Sequence, residues 1–233
     1  MRVQYKTKIS KAILRSIYNL PDENYFNFPV YRYFKDEGHA DALTKGYVWL
    51  STLKTCREYE DTEQGDKQEA LLNIGVSHIQ GSGNDKEFID NAMSIGIKVT
   101  KEAEGMIITN SHREISISDG YVLCTSTQYS EKLREKFGEY CVKIENPFLL
   151  AETIHQQLSI DTRIKSSHQG LINYCERSYF DKKPPTVHVG FIKPPFPYAY
   201  QKEHRLLYIP DDCSRLEPRG IDCPYLKDIF IKL

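Results

Sequence analysis

The sequence predicts an α+β fold in a single domain, a β-rich core with peripheral helices, and three observations carry that expectation. With 233 residues, 40% of them hydrophobic and 12% aromatic, the chain can bury a substantial core. Short β-prone runs recur between glycine and proline stops, and segments of helical period are interspersed among them. No internal repeat, low-complexity tract or dividing linker breaks the pattern.

Taken in order, residues 10–20 place Ile13, Leu14 and Ile17 at helical spacing until Pro21 and Asp22 stop the turn, so residues 1–25 read as an N-terminal helical extension. The core is then 26–233. Residues 30–34 read as a strand, 39–45 as a short helix closed by Gly46, and 47–53 as the returning strand. The densely acidic run 56–69 reads as an exposed loop or irregular helix before a strand at 71–79. A helix at 86–95 and strands at 107–108, 115–117 and 121–125 follow. Residues 130–137 form a charged helix ended by Gly138, 140–144 a strand, and 147–158 a helix opened by Pro147 at its favoured first turn. Strands at 172–180 and 186–192, a proline-rich connector at 193–197, and strands at 203–209 and 229–233 complete the chain.

Composition narrows the function. The formal net charge is -1, from 31 basic and 32 acidic residues, which gives no bulk electrostatic case for nucleic acid or an anionic membrane. The six cysteines form no Cys-x-x-Cys pair and read as reduced thiols. Residues 1–8 lack the apolar core of a signal peptide and nothing approaches the ~20 apolar residues of a membrane span, so the expectation is a cytoplasmic protein with no membrane partner. The seven histidines fall singly, never at zinc-ligand spacing, and no metal is expected. Neither a Rossmann glycine fingerprint nor a P-loop is present. Cys124 with His188 or His204 carries no protease signature, so Cys124 reads as a buried apolar thiol. One alternative stays open at 58–69: its carboxylates gather a divalent cation, as in a metal-dependent nuclease, or Asp66 or Glu69 pairs with Arg32.

The wording Val30-Tyr31-Arg32-Tyr33, Tyr47-Val48-Trp49-Leu50-Ser51, Gly65-Asp66 with Glu69, Phe137-Gly138 before Cys141-Val142-Lys143-Ile144, and Gln201-Lys202-Glu203-His204-Arg205 resembles a group of uncharacterised bacterial proteins suspected of roles in phage defence. More distantly, Arg32, then Ser51-Thr52, then Gln201-Lys202-Glu203 resembles the ordered motifs of ADP-ribosyltransferases of the Arg-Ser-Glu type; Leu53 stands where that family has a second serine. The resemblance implies a split β-sheet core over 26–233 and NAD as substrate. It implies catalytic roles for Glu203 and Gln201, with Arg32, Ser51, Thr52, Tyr31 and Tyr47 around the dinucleotide. Breaking the nicotinamide–ribose bond develops positive charge on the sugar, so a fixed carboxylate stabilises the transition state. Glu203 takes that role, the Arg32 guanidinium clamps the diphosphate, Ser51 orients the site, and Gln201 faces the acceptor. Arg205, two residues along the same face, pairs with Glu203. The expected activity is therefore ADP-ribosyl transfer or NAD hydrolysis in a toxin or anti-phage effector. Its partners would be a protein or nucleic-acid acceptor and a cognate antitoxin. The alternative is a non-enzymatic binding module of a defence or toxin-antitoxin system.

Overall fold

The computed structural model describes residues 28–59 and 65–233. The helix expected at 10–20 and the centre of the acidic run lie outside the described residues. In chain order the elements are β1 (Val30–Phe34), α1 (Glu37–Thr44), β2 (Tyr47–Thr52), α2 (Leu53–Glu58), β3 (Leu71–Gly81), α3 (Lys86–Ser94), β4 (Met106–Ser116), β5 (Tyr121–Ser126) and α4 (Glu131–Phe137). They continue with β6 (Tyr140–Ile144), α5 (Pro147–Leu158), β7 (Ile164–Leu171), β8 (Asn173–Tyr174), β9 (Ser178–Phe180), β10 (Ile192–Lys193), the short helix α6 (Pro195–Tyr198), β11 (Glu203–Pro210), β12 (Arg219–Asp222) and β13 (Phe230–Lys232). The expected mixture of helices and several sheets is what forms. Its residues gather into two compact units: one runs up to Thr55, from Asp119 to Leu171 and from Gln201 to Leu233; the other holds Cys56 to Ser118 and Ile172 to Tyr200.

The first unit is built on a forked sheet of order β12-β2-β5-β1-β6-β13, with β11 added to β5 and β7 to β11. β11 runs antiparallel along one whole edge of β5, from Glu203 opposite Ser126 to Tyr208 opposite Tyr121. The other edge of β5 is shared. Ser51 and Thr52 of β2 pair with Val122 and Tyr121, whereas Tyr31 of β1 pairs with Ser126. The sheet therefore parts into a β2-β12 branch and a β1-β6-β13 branch. Its apolar face carries Val30, Val48, Leu50, Leu123, Val142, Ile144 and Leu206, covered by Ala40 and Leu43 of α1 and by Leu150, Ile154 and Leu158 of α5. The residues of α5 repeat every four positions, one stripe of a 3.6-residue helix. Asn146 caps that helix by accepting from the Leu149 amide at 2.9 Å, and Pro147 needs no donor in the first turn. Full burial of each aliphatic side chain contributes about 1.5–3 kcal/mol.

The second unit packs a long antiparallel pair, β3 and β4, with β9 parallel to β3, and a small parallel pair, β8 and β10. Leu72, Ile74 and Val76 of β3 meet Phe88 and Ala92 of α3, Ile95, Ile108 and Ile192 in its core. Asp85 caps α3 through the Phe88 amide.

Several expectations are corrected. Of the strand expected at 186–192 only the end forms, at Ile192–Lys193, because His188 accepts from the Gly190 amide and folds Val189–Phe191 into a 3-10 turn. The run 172–180 is interrupted into β8 and β9. The expected exposed loop at 56–69 begins as the last part of α2, and Asp66 and Glu69 at its end are buried, because basic side chains meet them there.

Candidate functional site

Glu203 opens β11 at 4% exposure, and Arg205 two residues on is 1% exposed. Alternation along the strand puts both on one face. The Arg205 Nε and Nη2 each lie 2.7 Å from Glu203 Oε1, so the expected pair is formed, as a charge-assisted contact away from bulk water. His204 between them faces the other way, where its Nδ1 lies 2.9 Å from Thr125 Oγ1 and its Nε2 lies 3.1 Å from Gln169 Nε2.

Gln201 does not share the Glu203 face by strand alternation. The strand starts only at Glu203; Lys202 is left-handed at φ 47°, and Gln201 closes the 3-10 turn Ala199–Gln201. The turn is pinned by hydrogen bonds: Ser126 Oγ donates to the Gln201 carbonyl at 2.8 Å, and the Thr127 amide and hydroxyl donate to the Lys202 carbonyl at 2.9 and 3.2 Å. Those contacts stabilise a backbone conformation that costs a side-chain-bearing residue about 1–2 kcal/mol.

Across the sheet, Glu203, Ser126 and Tyr31 form one row on three neighbouring strands. With strands ~4.8 Å apart, that sets the outer two about 10 Å from each other on a common face. Arg32 follows Tyr31 and enters the fork. Its Nη2 donates to the Trp49 carbonyl of β2 at 3.2 Å, and its guanidinium lies 5.5 Å from the Phe34 ring centre. Burial pulls the Arg32 pKa down to about 10, against the opposing influence of Cys124, so it remains a cation at neutral pH. Cys124 sits on β5 between the residues that pair with β2 and with β1, opposite Arg205 on β11. It is exposed, which corrects the expected buried thiol; its neighbours on β5 are buried, and at this position the strand edge pairs with neither β1 nor β2.

Ser51 and Thr52 lie at the other end of the fork. Ser51 is opposite Val122, four residues along β5 from Ser126, about 13 Å along the strand from the Glu203 row. Thr52 is fully buried; its hydroxyl accepts from the Thr55 amide at 3.0 Å and lies 3.0 Å from the Thr55 hydroxyl. That is a helix-start role. Tyr31 leans on Tyr129 with ring centres 5.7 Å apart, and Tyr47 and Trp49 stand exposed on β2.

The second unit holds its own buried charges. Arg177 grips Asp66 with both terminal nitrogens, Nη1 to Oδ1 at 2.8 Å and Nη2 to Oδ2, and also reaches the Ile192 carbonyl. Glu69 Oε2 lies 3.8 Å from Lys193 Nζ, and the Glu69 carbonyl accepts from Arg57 Nε. Tyr198 donates to the Gly65 carbonyl while Lys193 sits 4.9 Å from its ring centre. The carboxylate of Asp66 is therefore taken by Arg177, a residue the sequence reading did not single out; the two are 111 positions apart and no local signal links them. Among the described residues no cluster of three or more His, Cys, Asp or Glu side chains is arranged to hold a metal ion, and no helix is long and apolar enough to cross a membrane.

Compared with known proteins, the chain matches no family model, no curated protein and no solved structure.

Proposed function

We propose that the first unit binds NAD at the fork of its sheet and breaks the bond between nicotinamide and ribose, passing the ADP-ribosyl group to water or to a protein or nucleic-acid acceptor. The observation that carries this reading is the row Glu203–Ser126–Tyr31; Arg32, next along β1, roots on the opposite face and reaches the edge of the fork at the Trp49 carbonyl. As the C–N bond breaks, its electron pair leaves with nicotinamide and positive charge grows at the ribose. The Glu203 carboxylate, turned by Arg205 through Oε1, stabilises that charge. An oxygen of water or of the acceptor then bonds to the same carbon and gives up its proton. Arg32 pairs with the diphosphate, exchanging the neutral Trp49 carbonyl for an anion, which is the stronger acceptor. Ser51 stands too far along β5 to serve the same bond, whereas Ser126 lies directly opposite Glu203 in the register. Consumption of NAD suits a toxin or anti-phage effector restrained by a cognate antitoxin.

A second reading rests on the near-complete burial of Glu203 and Arg205. On that reading the pair fastens the strand in a non-enzymatic binding module. Incubation of the purified protein with NAD, alone and with cell lysate, separates the two. Nicotinamide release that falls at least about 100-fold in Glu203→Gln supports catalysis; equal background release from both proteins removes its basis and leaves the fastener.

A further inference from the structure

Away from the fork, α5 and β7 bring a histidine and a serine together. His155 Nδ1 lies 2.8 Å from Ser167 Oγ, and His155 Nε2 lies 3.4 Å from Ser159 Oγ. Three elements of the first unit place this couple. β11 holds β7 so that Ser167 stands opposite Tyr208, and the Tyr208 hydroxyl donates to the Ala151 carbonyl at 2.9 Å. Ala151 is one helical turn before His155, so that bond clamps α5 to β11 beside the couple. The Ser159 amide donates to the His155 carbonyl at 3.0 Å, which fixes the second serine at the end of the same helix. His155 and Ser167 are half-buried and Ser159 is exposed, so the couple is partly shielded yet open on the Ser159 side.

A serine hydroxyl is a weak nucleophile until a base takes its proton. The arrangement that does so sets the base at roughly 2.6–3.2 Å from the hydroxyl and orients it through a third group. His155 meets both conditions. Burial pulls its pKa below the ordinary value, so the ring is neutral at pH 7. In the tautomer with its proton on Nε2, that N–H faces Ser159 Oγ and Nδ1 accepts from the Ser167 hydroxyl.

We infer that Ser167 is an acyl-accepting nucleophile, with His155 as its base and Ser159 as the positioning residue for His155, and that this site cleaves small esters with good leaving groups. The inference is separate from the NAD reading and does not rest on it. The Ser167 oxygen bonds to the ester carbonyl carbon and its proton passes to His155 Nδ1. The bond from that carbon to the leaving oxygen then breaks, and the leaving oxygen takes the proton. Water repeats the sequence on acyl-Ser167: it gives a proton to Nδ1, bonds to the acyl carbon and frees the acid as the proton returns to Ser167. The third group sets the substrate class. The Ser159 hydroxyl carries no charge, so it orients the ring without the stabilisation that a carboxylate gives an imidazolium. Such a base suits leaving groups that depart as weakly basic anions, phenolates and thiolates, rather than amines.

The full chain is incubated with p-nitrophenyl acetate; p-nitrophenolate release is followed, and tryptic peptides are read by mass spectrometry, Ser167 lying in the fragment that begins at Ser166. Release faster than from the urea-unfolded protein is expected, with the acetyl group on Ser167. His155→Gln is expected to slow release about 100-fold, the contribution of a positioned base. Ser167→Ala should reduce release to that of the unfolded chain, and Ser159→Ala should lower kcat while leaving KM unchanged. The site of the label in the wild-type protein does not depend on any variant folding. Acetyl groups on Ser166 or on lysines with none on Ser167 overturn the assignment, as does release no faster than from the unfolded chain. Undiminished release from His155→Gln also overturns it.

Discussion

His204 shows how much one buried side chain can set. The Thr125 hydroxyl donates to the His204 carbonyl at 3.1 Å, so its oxygen must accept from Nδ1; Nε2 then accepts from Gln169, and the ring is neutral. Burial pulls its pKa down to about 4, with the nearby Glu203 charge opposing the shift. An unfolded chain titrates this group near 6.5. Between those values the unfolded state binds more protons, so stability falls as pH drops through 6.5 toward 4. The expected loss from His204 between pH 7 and pH 5 is about 2 kcal/mol, read as a lower urea midpoint. In His204→Gln that part of the pH dependence should vanish; an unchanged slope would remove His204 as its source. The cluster Gln201-Lys202-Glu203-His204-Arg205 stood out in the sequence because five polar residues interrupt an apolar tail, and the pairing of Glu203 with Arg205 was legible from their spacing. The position of Gln201 was not, because nothing in the sequence marks Lys202 as left-handed.

Elements with local signals were readable, and elements made by distant pairing were not. α3, α4 and α5 begin at Asp85, Ser130 and Asn146, whose side chains accept from the amide three residues on, a rule written in the sequence itself. β7 reads Ile-Lys-Ser-Ser-His-Gln-Gly-Leu and has little strand character alone; it forms because β11 offers it an edge from His204 to Pro210. β12 is four residues long and owes its place to β2. Gly138, the stop after α4, is more constrained than a helix stop needs to be. Its φ is 127°, and a Cβ there would lie 2.1 Å from the carbonyl carbon and oxygen of Phe34. Main chain cannot move aside as a side chain does, so Gly138→Ala is expected to lower the unfolding free energy by about 2–4 kcal/mol. A denaturation midpoint within error of wild type would contradict the close approach.

Among the described residues, each compact unit holds buried ionic contacts, Glu203 with Arg205 in one and Asp66 with Arg177 in the other. The acidic character of 58–69 was plain in the sequence, but the burial of Asp66 was not, since its partner Arg177 comes from a distant stretch. Asp66→Asn removes the charge that Arg177 grips and leaves a buried guanidinium without its counter-ion, which costs about 3–5 kcal/mol. Hydrogen exchange should then show lost protection in β3, β4 and β9 while β5 and β11 keep theirs. Equal loss in all five strands would mean that the two units unfold together. The forked sheet also has a consequence for how the protein is made. β5 leaves the ribosome well before the strand that covers its long edge: 79 residues separate Thr125 from its partner His204. At about 5–20 residues per second, that edge stays open for seconds while the second unit's later segment is still being synthesised. Chains cut short before β11 would keep β5 as an unpaired apolar edge, the form most prone to pair with another copy. Completion of synthesis, rather than early folding of the N-terminal strands, is what protects this sheet.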